Sequence, residues 1–287
     1  MINKMNTKQN VGLKRNVIDK FYTKKNVVNF CIEQVKKCVQ INKNDDLIIE
    51  PSAGNGAFIE HIKSLCNYYK FYDLEPENTL IEKQNYLNFK YKKLKFTPKN
   101  RPHIHVIGNP PFGRQSSMAM KFIKYSAKFC DSISFILPKS FKKDSMKDKI
   151  PLKFHLDDRC WDLEPNSFLI NNTQEHNVHC VFQIWIKKNM DRKKSKKLKP
   201  KNYVFVKKED NHDISFRRVG VNAGNIAKSS DSNKKSPQSH YFIKFNNGLF
   251  NNKIFDKLGN ITFESSNNTV GSKSISKQEL IKKYNKI

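Results

Sequence analysis

Asn109, Pro110, Pro111 and Phe112 place an amide, two rigid imino acids and an aromatic ring directly behind an apolar run, IHVIG (104–108). Proline has no N–H and cannot continue a sheet ladder, so the strand predicted by that run stops there. Pro110 and Pro111 fix φ and stiffen the loop. The Asn109 side chain and the Pro110 carbonyl can then present two acceptors at a set separation. Two acceptors are what an exocyclic –NH2 group needs. With both hydrogens held, its nitrogen leaves conjugation with the ring and its lone pair points outward. Phe112 adds a face on which a planar base can stack, an interaction worth roughly 1–3 kcal/mol. The spacing predicts amino-group chemistry on a flat heterocycle.

A second group of residues predicts a nucleoside ligand. LIIE (47–50) reads as a short buried strand ending in Glu50, followed by the turn PSAGNGAF and the helix FIEHIKSLC. Gly54 and Gly56 let the backbone approach a ligand at the carboxyl end of a parallel strand, where α/β folds bind nucleotides. The following helix offers free N–H groups. No GK[ST] follows, which excludes a phosphate-cradling P-loop. Asp73 stands 17 residues after Gly56, at the end of the next strand, FYDLEP (71–76). A carboxylate there accepts hydrogen bonds from ribose hydroxyls.

The elements that must position these residues alternate. Residues 17–40 carry helical spacing from Val27 onward (Val27, Val28, Cys31, Val35, Val39), SMAMKFIKYSAKF (117–129) is helical, and SISFILP (132–138) and HCVFQIWI (179–186) read as strands. Strands that are apolar throughout and alternate with helices predict a parallel sheet covered on both faces. After Ile186 the character changes to a basic run, KKNMDRKKSKKLKPK (187–201). Short strand-like pieces follow: YVFV (203–206), DISFRRV (213–219) and HYFIKF (240–245). The expected organisation is a catalytic domain over 1–190, a basic linker over 191–201 and a small β-rich module over 202–287.

The net charge is +28, from 54 basic and 26 acidic residues, and favours a polyanionic partner through counterion release. The excess is nearly all lysine, beside much asparagine, a pairing that an AT-rich coding sequence also produces. Lys193 and Lys194 lie in the basic run, read as a linker with phosphate contacts. Arg217 and Arg218 stand out in a chain with seven arginines, since guanidinium is the better reader of phosphates and bases. The six cysteines form no CxxC and complete no zinc spacing, so reduced core thiols and no metal are expected. No run reaches membrane-span length and MINKMNTKQN lacks a signal-peptide core, so an intracellular location is expected.

EPSAGNGAF and NPPF, in this order, resemble motifs I and IV of the S-adenosylmethionine-dependent amino-methyltransferases, above all the adenine-N6 enzymes. DKFYTKKNVV (19–28) resembles their N-terminal motif X, FYTP-x-x-V, with Lys24 where the family often has proline. The order of motifs matches the γ class. FILPKSF (135–141) and VFQIW (181–185) resemble the fifth and the antiparallel seventh strands, and the likeness spans about residues 15–190. It implies an α/β, Rossmann-like seven-stranded class I methyltransferase sheet with the small C-terminal module appended. It also implies S-adenosyl-L-methionine as cofactor. Tyr22 and Thr23 would hold its methionine end, Glu50, Ser52, Gly54 and Gly56 would line its pocket, and Asp73 would bind its ribose. Asn85, in QNYL where the family has an aspartate motif, would face its adenine. Asn109, Pro110 and Phe112 would grip the target amine and base.

The resemblance implies methylation of adenine N6, with DNA the expected polymer. RNA, including cap-adjacent adenosine, is the alternative; a protein glutamine amide and a non-catalytic nucleic-acid-binding protein stand behind it. A C-terminal module of this size implies modest sequence specificity or a partner protein that supplies it.

Overall fold

A computed structural model describes residues 21–93, 102–170, 173–269 and 272–287. Asp19 and Lys20, which open the motif X segment, lie outside the described residues. In chain order the elements are β1 (Tyr22–Thr23), α1 (Lys25–Cys38), β2 (Leu47–Glu50), α2 (Ile59–Leu65), β3 (Tyr68–Asp73), β4 (Glu82–Lys83), β5 (Ile104–Gly108), α3 (Ser117–Ser126), β6 (Ser132–Pro138), α4 (Asp144–Lys147), β7 (Phe154–Leu156), β8 (Trp161–Asp162), β9 (Phe168–Ile170), β10 (Gln174–His176) and β11 (Cys180–Lys187). Then come β12 (Tyr203–Val206), β13 (Ile214–Arg217), β14 (Ile226–Lys228), β15 (His240–Phe245), α5 (Asn252–Gly259) and α6 (Lys277–Tyr284).

The main sheet has the order β4-β3-β2-β5-β6-β11-β7, with β8 paired to β11 beside this path. β2 pairs in parallel with β3 and β5, and β5 with β6. β11 runs antiparallel between β6 and β7. Every residue of β2 and β6 is buried, as expected of strands covered on both faces. α1 buries Val27, Val28, Cys31, Ile32 and Val35, one stripe at helical spacing. Chain order reverses between β2 and β5, so a crevice opens beyond their carboxyl ends. A separate three-stranded sheet, β1-β9-β10, ties the motif X strand to the segment before β11.

The C-terminal module contains helices beside the strands that the sequence indicated. Its antiparallel sheet, β12-β15-β13-β14, is covered by α5 and α6. The core is separate from that of the first domain and includes Tyr203, Phe216, Ile243, Leu258, Leu280 and Tyr284. Each helix is only eight residues long, and α6, KQELIKKY, shows too few apolar positions for a helical period to stand out.

The basic run is also more ordered than a linker. The Arg192 guanidinium donates to the carbonyls of Phe154, Lys147 and Ile150 and lies over Trp185. The Ser195 N–H donates to Asp148, and Gln278 of α6 bonds both the N–H and the C=O of Leu198. Asn285 does the same for Lys201 N–H and Lys199 C=O. The run is a strap with pinned backbone, and Lys143 adds a cross-brace by donating to Ser274 O at 2.8 Å.

Candidate active site

β2 delivers Glu50 to the crevice and β5 delivers Asn109, because both strands end there. The loop after β2 turns back sharply: Gly56 N–H donates to Ala53 O at 2.7 Å. Gly54 and Gly56 both take positive φ, at 54° and 90°. A Cβ on Gly56 would lie 2.6 Å from Ile59 Cδ1, so the Ile59 side chain would have to shift, and the positive φ strains any other residue there. Asp73, at the end of β3, accepts from Gly54 N–H at 2.8 Å and from Glu75 N–H at 2.9 Å. These bonds close the glycine loop against β3 and leave carboxylate lone pairs for a further donor. The Ser52 hydroxyl donates to Asn109 O at 3.1 Å, locking the two strand-end loops together.

The Asn109 side chain is held from one side only. Its Nδ2 donates to Thr23 Oγ1 at 3.2 Å and to Phe21 O at 3.4 Å, both on the segment that forms β1. Its Oδ1 is buried and has no partner. The amide's donor is therefore committed to the β1 segment while its acceptor is left unsatisfied. Thr23, expected at the methionine end of a cofactor, sits against Asn109 and orients it. Glu50 is the second orphan: it is 2% exposed, and its Oε2 is buried without a partner. Burial, with the Asp73 charge adding to it, holds the Glu50 carboxyl well above the usual carboxylate range. An unmade buried hydrogen bond costs about 1–3 kcal/mol, so a donor brought to either atom would be favoured.

Around the residues the sequence named stand neighbours it did not, Glu77, Phe21 and His176. The Tyr22 ring lies 3.8 Å from where a Gly54 Cβ would stand, and its hydroxyl donates to Glu77 Oε1. Phe21 stacks on His176, with centroids 5.0 Å apart and planes at 7°, and lies 6.4 Å from Phe112. The Phe112 ring is 8% exposed, so it is one wall of an aromatic cluster and not an open platform. Only the F of FYT hinted at that cluster, and nothing marked His176. Gln115 and Ser116, just past the NPPF loop, both adopt left-handed backbone at φ 53° and 60°. Asn85 follows β4, and its Oδ1 caps the Leu87 N–H at 3.1 Å.

Away from the crevice, the Arg217 guanidinium donates to Val219 O, and that of Arg218 donates to Gln238 O and lies over Tyr241. Both brace their own module. Lys193 and Lys194 are exposed on the strap. No helix among the described residues is long and apolar enough to cross a membrane.

Sheet order, the antiparallel β11 and a glycine loop at the reversal point together define the class: a Rossmann-like fold of the class I methyltransferase type. No protein-family model matches the chain, and no curated protein matches it in sequence. Among solved structures it is similar to a protein from Pyrococcus horikoshii described as an RNA methyltransferase, at 13% identity and TM-score 0.46, over 62% of this chain and 92% of that one. It is also similar to a class I S-adenosylmethionine-dependent methyltransferase from Listeria monocytogenes, at 15% identity and TM-score 0.42, over 61% and 63%. A type I restriction-modification methyltransferase subunit from Streptococcus thermophilus matches at 14% and TM-score 0.41, over 59% and 45%.

The residues present fit S-adenosylmethionine. The glycine loop closes on the Asp73 carboxylate, which keeps lone pairs for hydroxyl donors, and the orphaned acid Glu50 feels the Asp73 charge.

Proposed function

We propose that the chain transfers a methyl group from S-adenosylmethionine to the N6 amino group of adenine in nucleic acid, with DNA the favoured polymer and RNA the alternative. The observation that carries this reading is the half-satisfied Asn109 amide, whose donor is spent on Thr23 and Phe21 and whose buried acceptor is free.

When bound, the cofactor supplies a methyl group on a cationic sulfur, electrophilic without further activation. The protein's task is alignment. Asn109 Oδ1 and the Pro110 carbonyl accept the two amine hydrogens, so the N6 lone pair is localised and aimed. Pro111 keeps that pair of acceptors rigid. Phe112, backed by Phe21 and His176, receives the base edge in a dry aromatic surround. Tyr22, Ser52, Gly54, Gly56 and Asp73 hold the cofactor, with Glu50 facing its charge; Asn85 borders its adenine. No strong base is needed, because the methylated nitrogen is cationic and loses its proton to water. In a duplex the adenine must first leave the stack.

Lys193 and Lys194 contact phosphates, as does the rest of the strap. Arg217 and Arg218 brace the module. A module this small gives modest sequence specificity unless a partner protein adds to it.

The test is transfer of labelled methyl to single-stranded DNA, duplex DNA and RNA in parallel, with the product nucleoside identified by mass. N6-methyladenine from wild type and none from Asn109→Ala is the expected result. Cofactor binding without transfer to any of these polymers would move the substrate to another class.

A further inference from the structure

The C-terminal module holds a cavity of about 410 Å³ that the methyl-transfer reading does not use. Phe205, Tyr241 and Phe242 line it together with Lys207, Lys208 and Lys277, and Glu209 is the one acid in its wall. The rings of Phe205 and Tyr241 meet edge to face, with centroids 5.6 Å apart. Each carries a cation. Lys277 Nζ lies 4.0 Å over the Phe205 ring, and the Arg218 guanidinium lies 5.4 Å over Tyr241. His240, at the start of β15, completes the lining, and burial holds it below its ordinary range, so at neutral pH it adds no charge.

Three ligand chemistries can be compared against this lining. An acidic peptide would satisfy the lysines and leave the rings wet. An apolar molecule would cover the rings and strand the ammonium groups. A nucleotide does both jobs at once. Its base takes the ring face, and Lys277, on a flexible exposed stem, swings off Phe205 onto the phosphate that arrives with the base.

The helix that contributes Lys277 to the cavity also holds the strap. Gln278, next to Lys277, is the residue that grips Leu198 by both backbone groups. Exposed Lys196, Lys197, Lys199 and Lys201 flank that grip in the chain, and so add cations to the segment that α6 holds. We infer that the C-terminal cavity is a second nucleic-acid subsite, which holds one unstacked nucleotide of a single strand between Phe205, Tyr241 and Lys277. It goes beyond the methyl-transfer site and needs no cofactor.

The experiment is equilibrium binding, by fluorescence anisotropy on the full chain without cofactor, to a single-stranded thymidine 12-mer and to an abasic 12-mer with the same phosphates. Wild type should prefer the thymidine strand by about tenfold, the scale of one base stacked on an aromatic ring. Phe205→Leu and Tyr241→Leu should erase that preference, while Asn109→Ala should leave it unchanged and so separates this site from the methyl-transfer pocket. Lys277→Gln, on an exposed side chain that cannot upset the core, should reduce the preference and lower the salt dependence by about one phosphate contact. A 5-iodouracil strand should photo-cross-link to the peptide that carries Phe205 or Tyr241. Equal binding of the two strands by wild type would overturn the inference, as would a preference that survives Lys277→Gln and Phe205→Leu. Thymidine monophosphate that bound as tightly as the 12-mer would overturn the strand assignment.

Discussion

The crevice beyond β2 and β5 and the core of the C-terminal module both contain buried polar atoms without partners, but of different kinds. In the module they include the hydroxyls of Tyr203, Tyr284 and Ser215. These are neutral groups inside a packed core, and burial pushes both tyrosines well above their ordinary range. In the crevice they are a carboxylate oxygen and an amide oxygen at the open ends of adjacent strands, on side chains whose other contacts fix their direction. A buried hydroxyl with one bond unmade is a tolerated loss of about 1 kcal/mol. An oriented acceptor at a strand end is, on the proposed reading, a binding group. The same contrast separates the chain's basic residues. Arg192, Arg217 and Arg218 spend their guanidinium groups on backbone carbonyls, whereas the strap lysines face solvent.

The hardest test of the first contrast is Asn109→Ala, which removes the oriented acceptor. Turnover should fall at least about a hundredfold, the usual consequence of losing a group aimed at a reacting atom, while cofactor affinity stays within about threefold. Thr23→Val keeps the acceptor and removes its orienter, and should cost about tenfold in turnover with the same cofactor affinity. If Tyr203→Phe lowered turnover as much as Asn109→Ala, the contrast would be wrong.

The second contrast is tested on salt. Replacing Lys193, Lys194, Lys196 and Lys197 with glutamine should weaken nucleic-acid binding by roughly tenfold or more near 0.1 M salt. The slope of log K against log salt should become shallower by about three units. Arg218→Gln should leave the slope within one unit and lower the melting temperature instead, because it breaks a brace to Gln238 and Tyr241. A slope change as large as the quadruple variant's would return Arg218 to the nucleic-acid contacts.

What was legible in the sequence follows from length and burial. β2, β5, β6, β12 and β15 fall on LIIE, IHVIG, SISFILP, YVFV and HYFIKF as read; β2 and β6 are buried throughout, and the other three are partly buried but rich in β-branched and aromatic residues. Asn109, Glu50 and Asp73 were placed because strand ends in such a sheet point to one crevice. β9 and β10 were not, since three-residue strands with polar neighbours carry no period, and with them went His176 and the aromatic cluster. The orientation of Asn109 was also out of reach: it depends on Thr23, 86 positions earlier in the chain. The strap read as a linker because its order comes from partners, Asp148, Gln278 and Asn285, that composition does not reveal.

Glu50 gives a smaller effect with a definite sign. A carboxyl whose folded pKa is raised contributes stability that is complete below the ordinary carboxylate value of about 4.3 and is lost as pH rises through the raised value. The melting temperature of the ligand-free chain should therefore fall across that window, and Glu50→Gln should flatten the fall. A cationic cofactor favours the ionised form, so its affinity should rise with pH over the same window in wild type and not in Glu50→Gln. Identical pH profiles for the two proteins, in both measurements, would show that Glu50 does not titrate in the crevice.

The smallest effect compares strain in the two regions. Gln115 beside the NPPF loop and Asn247 after β15 both hold left-handed backbone, at φ 53° and 50°. Asparagine tolerates that region, whereas glutamine does so at a cost of about 1–2 kcal/mol. Gln115→Gly should therefore stabilise the chain by about 0.5–1 kcal/mol, and Asn247→Gly by less. The two should part on activity. The Phe112 carbonyl accepts from Met118 and Ala119 N–H at the start of α3, so the strained pair at 115–116 lies on the path by which the NPPF loop enters that helix. Loosening it should raise KM for nucleic acid about threefold while leaving cofactor affinity alone, and Asn247→Gly should change neither. If Gln115→Gly gained stability with no change in KM, the left-handed pair would be a cost of the chain's path into α3 and no part of the grip on the substrate.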